Sequence, residues 1–349
     1  MSLLAAWTHD LDPCALHAFG RCLVRWYGLS YVLGFAAAWF LVREMTRRGR
    51  TRIDDPAKAA DLIFAAAIGA VAGGRLGYVV LYDPELLWTF DASPPWWGLF
   101  MINRGGMASH GGIAGVIVAA WWFARREKIG FFHATDLVAL AAPAGLFFGR
   151  LANFINGELL GRVVAAPGEP APWWAVRYPQ ELLTGHAPDL TVEQQVELAR
   201  IADEIAPTAD TAYAKLAALI DAVQRGAPGV AERLAPLLAA RHPSQLYQAA
   251  AEGLILGAIL WIAWARTRVV GVAGGLFVLV YGALRVATEH WRLPDDHLAA
   301  PEPLGLSRGQ WYSLAMIVAG AILLWRALRR NERVEAPKAG ADDQAAPAS

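Results

Sequence analysis

The sequence predicts an all-α polytopic membrane protein, with about seven transmembrane helices and a periplasmic helical arm or head inserted between helices four and five. Three observations predict it. The 349 residues are 56% hydrophobic and only 18% charged, and a mean hydropathy of +0.33 is too high for an ordinary soluble enzyme. Apolar stretches recur at close to the roughly 20 residues a helix needs to cross hydrocarbon. Basic residues concentrate in alternate loops, as membrane insertion demands. The formal net charge of zero says nothing about partners, because orientation depends on where Lys and Arg sit.

The expected spans are 23–42, 62–82, 107–124, 135–156, 247–265, 272–289 and 311–328. Hydropathy ranks 107–124 as the least secure, since it opens on Ser109, His110 and paired glycines. The loops after the first, third, fifth and seventh spans carry Arg43, Arg47, Arg48, Arg50 and Arg52, then Arg125, Arg126 and Lys128, then Arg266 and Arg268, then Arg326, Arg329, Arg330 and Arg333. Arg104 is the only basic residue between Asp83 and Gly106. The positive-inside rule therefore sets the N-terminus outside and the C-terminus in the cytoplasm. Residues 1–10 lack the basic start and long apolar core of a cleavable signal, so the first helix is expected to act as the targeting segment.

This divides the chain into an outward segment 1–22, helices one to four over 23–156, an outward arm over 157–246, helices five to seven over 247–328, and a disordered cytoplasmic tail over 329–349 rich in Ala, Pro and Asp. Cys14 and Cys22 fall in the outward segment, where the compartment permits a disulfide but two cysteines do not demand one. The arm contains a Pro-rich run, 165–172, followed by Trp173 and Trp174 at headgroup level. Helical spacing of apolar residues follows over 191–205 and 211–223.

Chemistry is to be sought among polar groups within the spans. A charge at the centre of a spanning helix costs about 2.5–3.5 kcal/mol on insertion scales, so it is kept mainly where it faces a cavity or a polar partner. Arg150, Asn153 and Gly157 lie three and four residues apart and share one helix face. An arginine fork matches phosphate oxygens two at a time; an internal polar seam with Glu158 or Glu252 is the alternative. Tyr281, Arg285 and Glu289 repeat the pattern four residues apart, with a plain Arg285–Glu289 ion pair as the bland reading. His110 opens the third span as a candidate proton acceptor near neutral pH, or as a structural hydrogen-bonding group. Arg75, within Gly73-Gly74-Arg75-Leu76-Gly77-Tyr78, reads either as a site residue or as an arginine snorkelling to the interface. Arg241-His242-Pro243-Ser244-Gln245-Leu246-Tyr247 adds donors where the arm meets the fifth span.

Together, Trp26-Tyr27-Gly28-Leu29, His110-Gly111-Gly112, the segment 149–162, Arg241 through Tyr247, and Tyr281-Gly282-Ala283-Leu284-Arg285 with Glu289 resemble the prolipoprotein diacylglyceryl transferase family, in the same order, over roughly 25–330. The resemblance implies a bacterial inner-membrane enzyme that moves the diacylglyceryl group of phosphatidylglycerol onto the lipobox cysteine of a preprolipoprotein. A thioether forms and glycerol phosphate leaves. By matching motif, the essential positions would be Tyr27, His110, Arg150, Asn153, Asn156, Glu158, Gly161, Tyr281, Arg285 and Glu289. Ala152 stands where the family usually has glycine, and the stretch 185–241 is longer and richer in alanine than the family leads one to expect.

The chemistry assigns roles. The leaving phosphate gains negative charge in the transition state, so donors aimed at it accelerate the step; Arg150 and Arg285 fit. A free cysteine with a pKa of about 8.5 is mostly protonated at neutral pH, so a base helps. His110 is the first choice, with Tyr281 as orienting donor or alternative acceptor. Tyr27, Arg75, Asn153, Asn156, Glu158, Gly161, Arg241 and Glu289 are expected to contact substrate. No metal or organic cofactor is expected, because the histidines form no compact ligand set and no Gly-rich nucleotide loop joins a strand to a helix. Nucleic acid is not an expected partner. A transporter or flippase for an anionic lipid or small anion is the alternative, though the two halves show no inverted repeat. A non-catalytic scaffold would not need arginines so deep.

Overall fold

The computed structural model describes residues 6–102, 105–293 and 307–335. Arg104 and the tail beyond residue 335 lie outside the described residues. In chain order, the elements are β1 (Trp7–Thr8), β2 (Cys14–Ala18), β3 (Arg21–Arg25), α1 (Trp26–Arg47), α2 (Lys58–Leu81), α3 (Ser109–Glu127), α4 (Phe131–Asn156), β4 (Val163–Ala165), β5 (Val176–Arg177), α5 (Val192–Ile205), α6 (Ala212–Gln224), α7 (Val230–Leu234), β6 (Ala240–Arg241), α8 (Ser244–Gln248), a π-helical segment (Ala249–Ile255), α9 (Leu256–Thr267), α10 (Val272–Thr288) and α11 (Arg308–Arg330).

The protein is a mostly helical, polytopic membrane protein. Among the described residues, five helical stretches are long and apolar enough to cross a bilayer: Lys58–Leu81, Phe131–Asn156, Ser244–Thr267, Val272–Trp291 and Gly309–Arg330. α1 and α3 are not among them. The first ends on Arg43, Glu44 and Arg47, and the second holds Ser109, His110 and three glycines in its first seven residues.

The structure corrects three expectations. The chain is not all-α: a four-stranded sheet runs in the order β1-β5-β6-β4, and β2 and β3 form a hairpin. The first helix begins at Trp26, because residues 23–25 belong to β3. The tail does not start at 329, since α11 runs to Arg330 and Arg333 bridges to Val269, with Val334 N donating to Arg268 O at 2.9 Å.

The chain folds into two compact units. One comprises Phe35–Ala144, Gly257–Val280 and Val318–Ser349. Here α2 and α3 are held by glycine against glycine. A Cβ on Gly115 would overlap the Gly69 carbonyl, and one on Gly111 would overlap that of Gly73, so small residues every fourth position let the backbones touch. Asp136 on α4 accepts from Gly271 N at 2.6 Å and Gly274 N at 2.8 Å, satisfying orphan donors at the start of α10.

The other unit comprises Met1–Gly34, Gly145–Leu256 and Tyr281–Ile317. Its sheet joins distant stretches: β1 runs parallel to β5, pairing Trp7 with Val176, while β6 is antiparallel to β5 and β4, setting Arg241 opposite Val176 and Val163. Cys14 and Cys22 are disulfide-bonded across the β2–β3 hairpin. α5 to α7 close around Ile201, Leu219, Val223, Val230 and Leu234. Thr191 and Gln194 form a capping box at the start of α5.

Candidate active site

The end of α4 builds the first part of the site. The helix stops at Asn156, and Gly157 takes a φ of +67°, the left-handed conformation that glycine adopts without penalty at a helix C-terminus. The turn brings Glu158 back: its amide donates to Asn153 O at 2.9 Å, and its carboxylate accepts from Asn153 Nδ2 at 3.2 Å and Asn156 Nδ2 at 3.3 Å. Glu158 thus keeps both asparagine side chains in place while remaining exposed.

Arg150, two turns earlier, has a different partner. Its Nε and Nη2 donate to Glu252 Oε2 at 3.1 and 3.0 Å. Arg285 Nη1 lies 3.7 Å from the other oxygen of Glu252, and its Nη2 lies 3.6 Å from Glu289 Oε2. Both arginines are 17% exposed, whereas Glu252 is fully buried at 0%. Tyr281 lies within electrostatic reach of Glu252, Arg285 and Arg150. Two guanidiniums on separate helices therefore converge on one carboxylate, with a phenol beside them. Arg285 Nη1 and Glu252 Oε1 make no hydrogen bond among the described residues, so the longer pair is an attraction without a bond, and the guanidinium keeps a donor for another oxygen.

Glu252 reaches this position from the π-helical segment, a local widening often found at functional sites. Gly253 packs there against Phe147 of α4, where an added Cβ would meet the Phe147 Cβ at 2.6 Å. From the sequence, Glu252 reads only as an internal partner for a polar seam, although Gln245, Gln248 and Glu252 lie at i, i+3 and i+7. A polar stripe on one face of an apolar helix is the signal that marks them.

The neighbouring loop is tied down around Gly161. A Cβ on Gly161 would overlap the His242 carbonyl, so only glycine lets the two strands of chain approach. Ser244 Oγ donates to Leu159 O at 3.0 Å, and Gln245 Nε2 to Glu158 O at 2.5 Å. Tyr27, at the second position of α1, sets its ring against Tyr31, with centroids 5.4 Å apart. Tyr31 in turn is within electrostatic reach of Glu158.

The expectation that Arg241 and Arg75 contact substrate meets side chains already engaged by the protein itself. Arg241 is 2% exposed; its Nε donates to Glu181 Oε2 at 2.5 Å, Nη1 to Gly161 O at 3.3 Å and Nη2 to His186 O at 2.7 Å. Burial pushes the Glu181 carboxyl above its ordinary value, against the pull of Arg241 and the Ala239 amide. Arg75 is 4% exposed and belongs to the other unit. It donates to Leu99 O (2.8 Å), Gly105 O (2.7 Å), Gly106 O (2.9 Å) and Gly98 O (2.6 Å). It thereby fixes the loop that leads into α3. His110, the second residue of α3, belongs to that same unit and is exposed. Among the described residues, no three His, Cys, Asp or Glu side chains gather as a metal site would require.

Residues 13–326 match the model of the family described as prolipoprotein diacylglyceryl transferase. A phosphatidylglycerol–prolipoprotein diacylglyceryl transferase of Bdellovibrio bacteriovorus is 40% identical over 333 residues, covering 90% of this chain and 92% of the relative. Proteins of the same name from Stenotrophomonas maltophilia and Idiomarina loihiensis are 38% and 35% identical, covering 90% and 92% of this chain and 92% and 94% of their own lengths. With a match that spans nearly every element from the hairpin to α11, the chain belongs to the prolipoprotein diacylglyceryl transferase family.

Proposed function

We infer that this protein transfers the diacylglyceryl group of phosphatidylglycerol to the cysteine thiol of a prolipoprotein, the opening step of lipoprotein maturation. The names of the relatives support the reaction. The observation that carries its chemistry here is the convergence of Arg150 and Arg285 on buried Glu252. In this reading the thiolate sulfur attacks the glyceryl carbon, a C–S bond forms as the C–O bond to phosphate breaks, and glycerol phosphate leaves with the extra negative charge. The two guanidiniums stabilise that charge as it develops. Glu252 holds them aimed at one point before the lipid arrives, which reduces reorganisation during the reaction.

His110 accepts the thiol proton, and Tyr281 orients the reacting groups or takes the proton in its place. Asn153, Asn156, Glu158, Gly161, Tyr27 and Glu289 shape the surrounding site. The lipobox cysteine of a preprolipoprotein is the proposed acceptor. Topologically, α1 and α3 join the five longer apolar stretches to make seven crossings, with the N-terminus and the 157–246 arm in the periplasm, the C-terminus in the cytoplasm, and the whole chain in the bacterial inner membrane.

The test is a purified preparation in detergent given labelled phosphatidylglycerol and a lipobox peptide. A base-stable thioether is the expected product. His110→Gln is expected to slow its formation at least tenfold, and full turnover in that variant would remove His110 from the role of base.

A further inference from the structure

Gln248 closes α8 and is 1% exposed, and neither its Oε1 nor its Nε2 has a hydrogen-bond partner among the described residues. Its neighbours on either side each have hydrogen-bond partners, although the second oxygen of Glu252 has none among the described residues. Gln245, three residues earlier, accepts from the Tyr178 hydroxyl at 3.2 Å and donates to Glu158 O at 2.5 Å. Glu252, four residues later, accepts twice from Arg150. Gln248 falls between them in the chain, flanked by one residue that reaches Glu158 and one that reaches Arg150. Buried amides are almost always bonded, and an orphaned one calls for an explanation.

We propose that Gln248 is a substrate-binding residue that recognises a hydroxyl of the lipid headgroup. The proposal rests on the transferase reading above and adds the feature by which the donor lipid is chosen. The charges nearby are already present in both signs, as Arg150 and Arg285 against Glu252 and Glu289, so the uncharged amide is not needed for the phosphate. An amide offers one acceptor and two donors side by side. A hydroxyl, which donates and accepts, satisfies both ends; an ammonium, which only donates, leaves Nε2 facing a cation; a simple alkyl group satisfies neither. The glycerol head of phosphatidylglycerol carries hydroxyls within reach of its phosphate. A site that presents buried polar groups to a hydroxyl rejects analogues lacking it far more sharply than an apolar pocket does.

The experiment compares phosphatidylglycerol with phosphatidylmethanol, which has the same phosphodiester charge and no headgroup hydroxyl, in thioether formation by the full-length chain. The wild type is expected to favour phosphatidylglycerol at least tenfold in kcat/KM. Gln248→Met should bring that ratio to within about twofold of unity, leave the KM for the lipobox peptide unchanged, and melt no lower than the wild type without lipid, because an unpaired buried amide has been removed. Equal use of both lipids by the wild type, which needs no variant, overturns the proposal. So does a variant that keeps the wild-type ratio, or one that melts lower and loses both lipids in proportion. A wild type that forms thioether from neither lipid refutes the transferase reading itself.

Discussion

Replacing Arg150 by lysine tests the architecture of the site with the smallest change in charge. Arg150 presents Nε and Nη2 to the same oxygen of Glu252 at 3.1 and 3.0 Å, an alignment that requires a planar fork. The Lys ammonium is a point charge and keeps one of these bonds at most. A hydrogen bond to a charged group contributes about 1.5–3 kcal/mol, and about 1.4 kcal/mol corresponds to a tenfold change in rate. The expected loss in kcat/KM is therefore roughly 10- to 150-fold. Methionine is the less informative choice, because it leaves Glu252, at 0% exposure, short of its main partner, and breaking a buried pair costs about 3–5 kcal/mol of stability. Initial rates of thioether formation, with melting curves in parallel, provide the assay. A folded Arg150→Lys protein within threefold of the wild type would refute the idea that two aligned donors matter.

Arg75→Met should destabilise the loop into α3, since four bonds to Gly98, Leu99, Gly105 and Gly106 are lost; faster limited proteolysis between residues 98 and 107 is the expected sign. A stable variant altered only in its KM for lipid would instead favour substrate contact by Arg75. Gly115→Ala forces α3 away from the Gly69 carbonyl and should cost about 1–3 kcal/mol as an overpacked contact, read as a melting temperature lower by several degrees; an unchanged value would contradict the close approach. His9 is buried, its Nε2 donating to Phe154 O at 2.7 Å and its Nδ1 accepting from Gln180 Nε2 at 3.3 Å. Burial lowers its pKa below the ordinary 6.5, so the unfolded chain binds more protons below that pH. Stability is fully present above pH 6.5 and is lost as the pH falls toward the depressed value. His9→Gln should lose less stability between pH 7.5 and pH 5 than the wild type, and an identical slope in the two proteins would remove His9 from the account.

The helices were legible because lipid imposes a simple rule: backbone groups must be satisfied within the segment, and long apolar runs result. Each expected span lies mostly on helical residues, the first losing 23–25 to β3 and 107–124 opening two residues before α3, where glycine lowers hydropathy for the sake of contact with α2. The sheet was not legible. Its strands are two or three residues long and pair across stretches as distant as Trp7 and Val176, too short for alternation to register. The disulfide was open for a similar reason, since the hairpin that brings Cys14 to Cys22 carries no strong turn signal beyond Gly20.

Within the candidate site, charge in an apolar segment singled out Arg150 and Arg285, and the structure brings both to one carboxylate. The division of partners was beyond the sequence. Asn153 and Asn156 take Glu158 while Arg150 takes Glu252, and that outcome depends on the turn at Gly157 and on the π-helical segment that aims Glu252. The carbonyl partners of Arg75 and the Glu181 partner of Arg241 were likewise beyond the sequence. A buried arginine looks the same in sequence whether it waits for a phosphate or binds the carbonyls of its own loops.

The central claim is that paired guanidiniums stabilise a departing phosphate while sulfur displaces it from carbon. Product stoichiometry tests this most directly: phosphatidylglycerol labelled in its head glycerol is mixed with the purified protein and a lipobox peptide, and released material is counted against thioether formed. One glycerol phosphate per thioether, with release and ligation falling together in Arg285→Lys, is the predicted result. Release of free glycerol or fatty acid in its place, or ligation that proceeds undiminished in Arg285→Lys, would contradict the account.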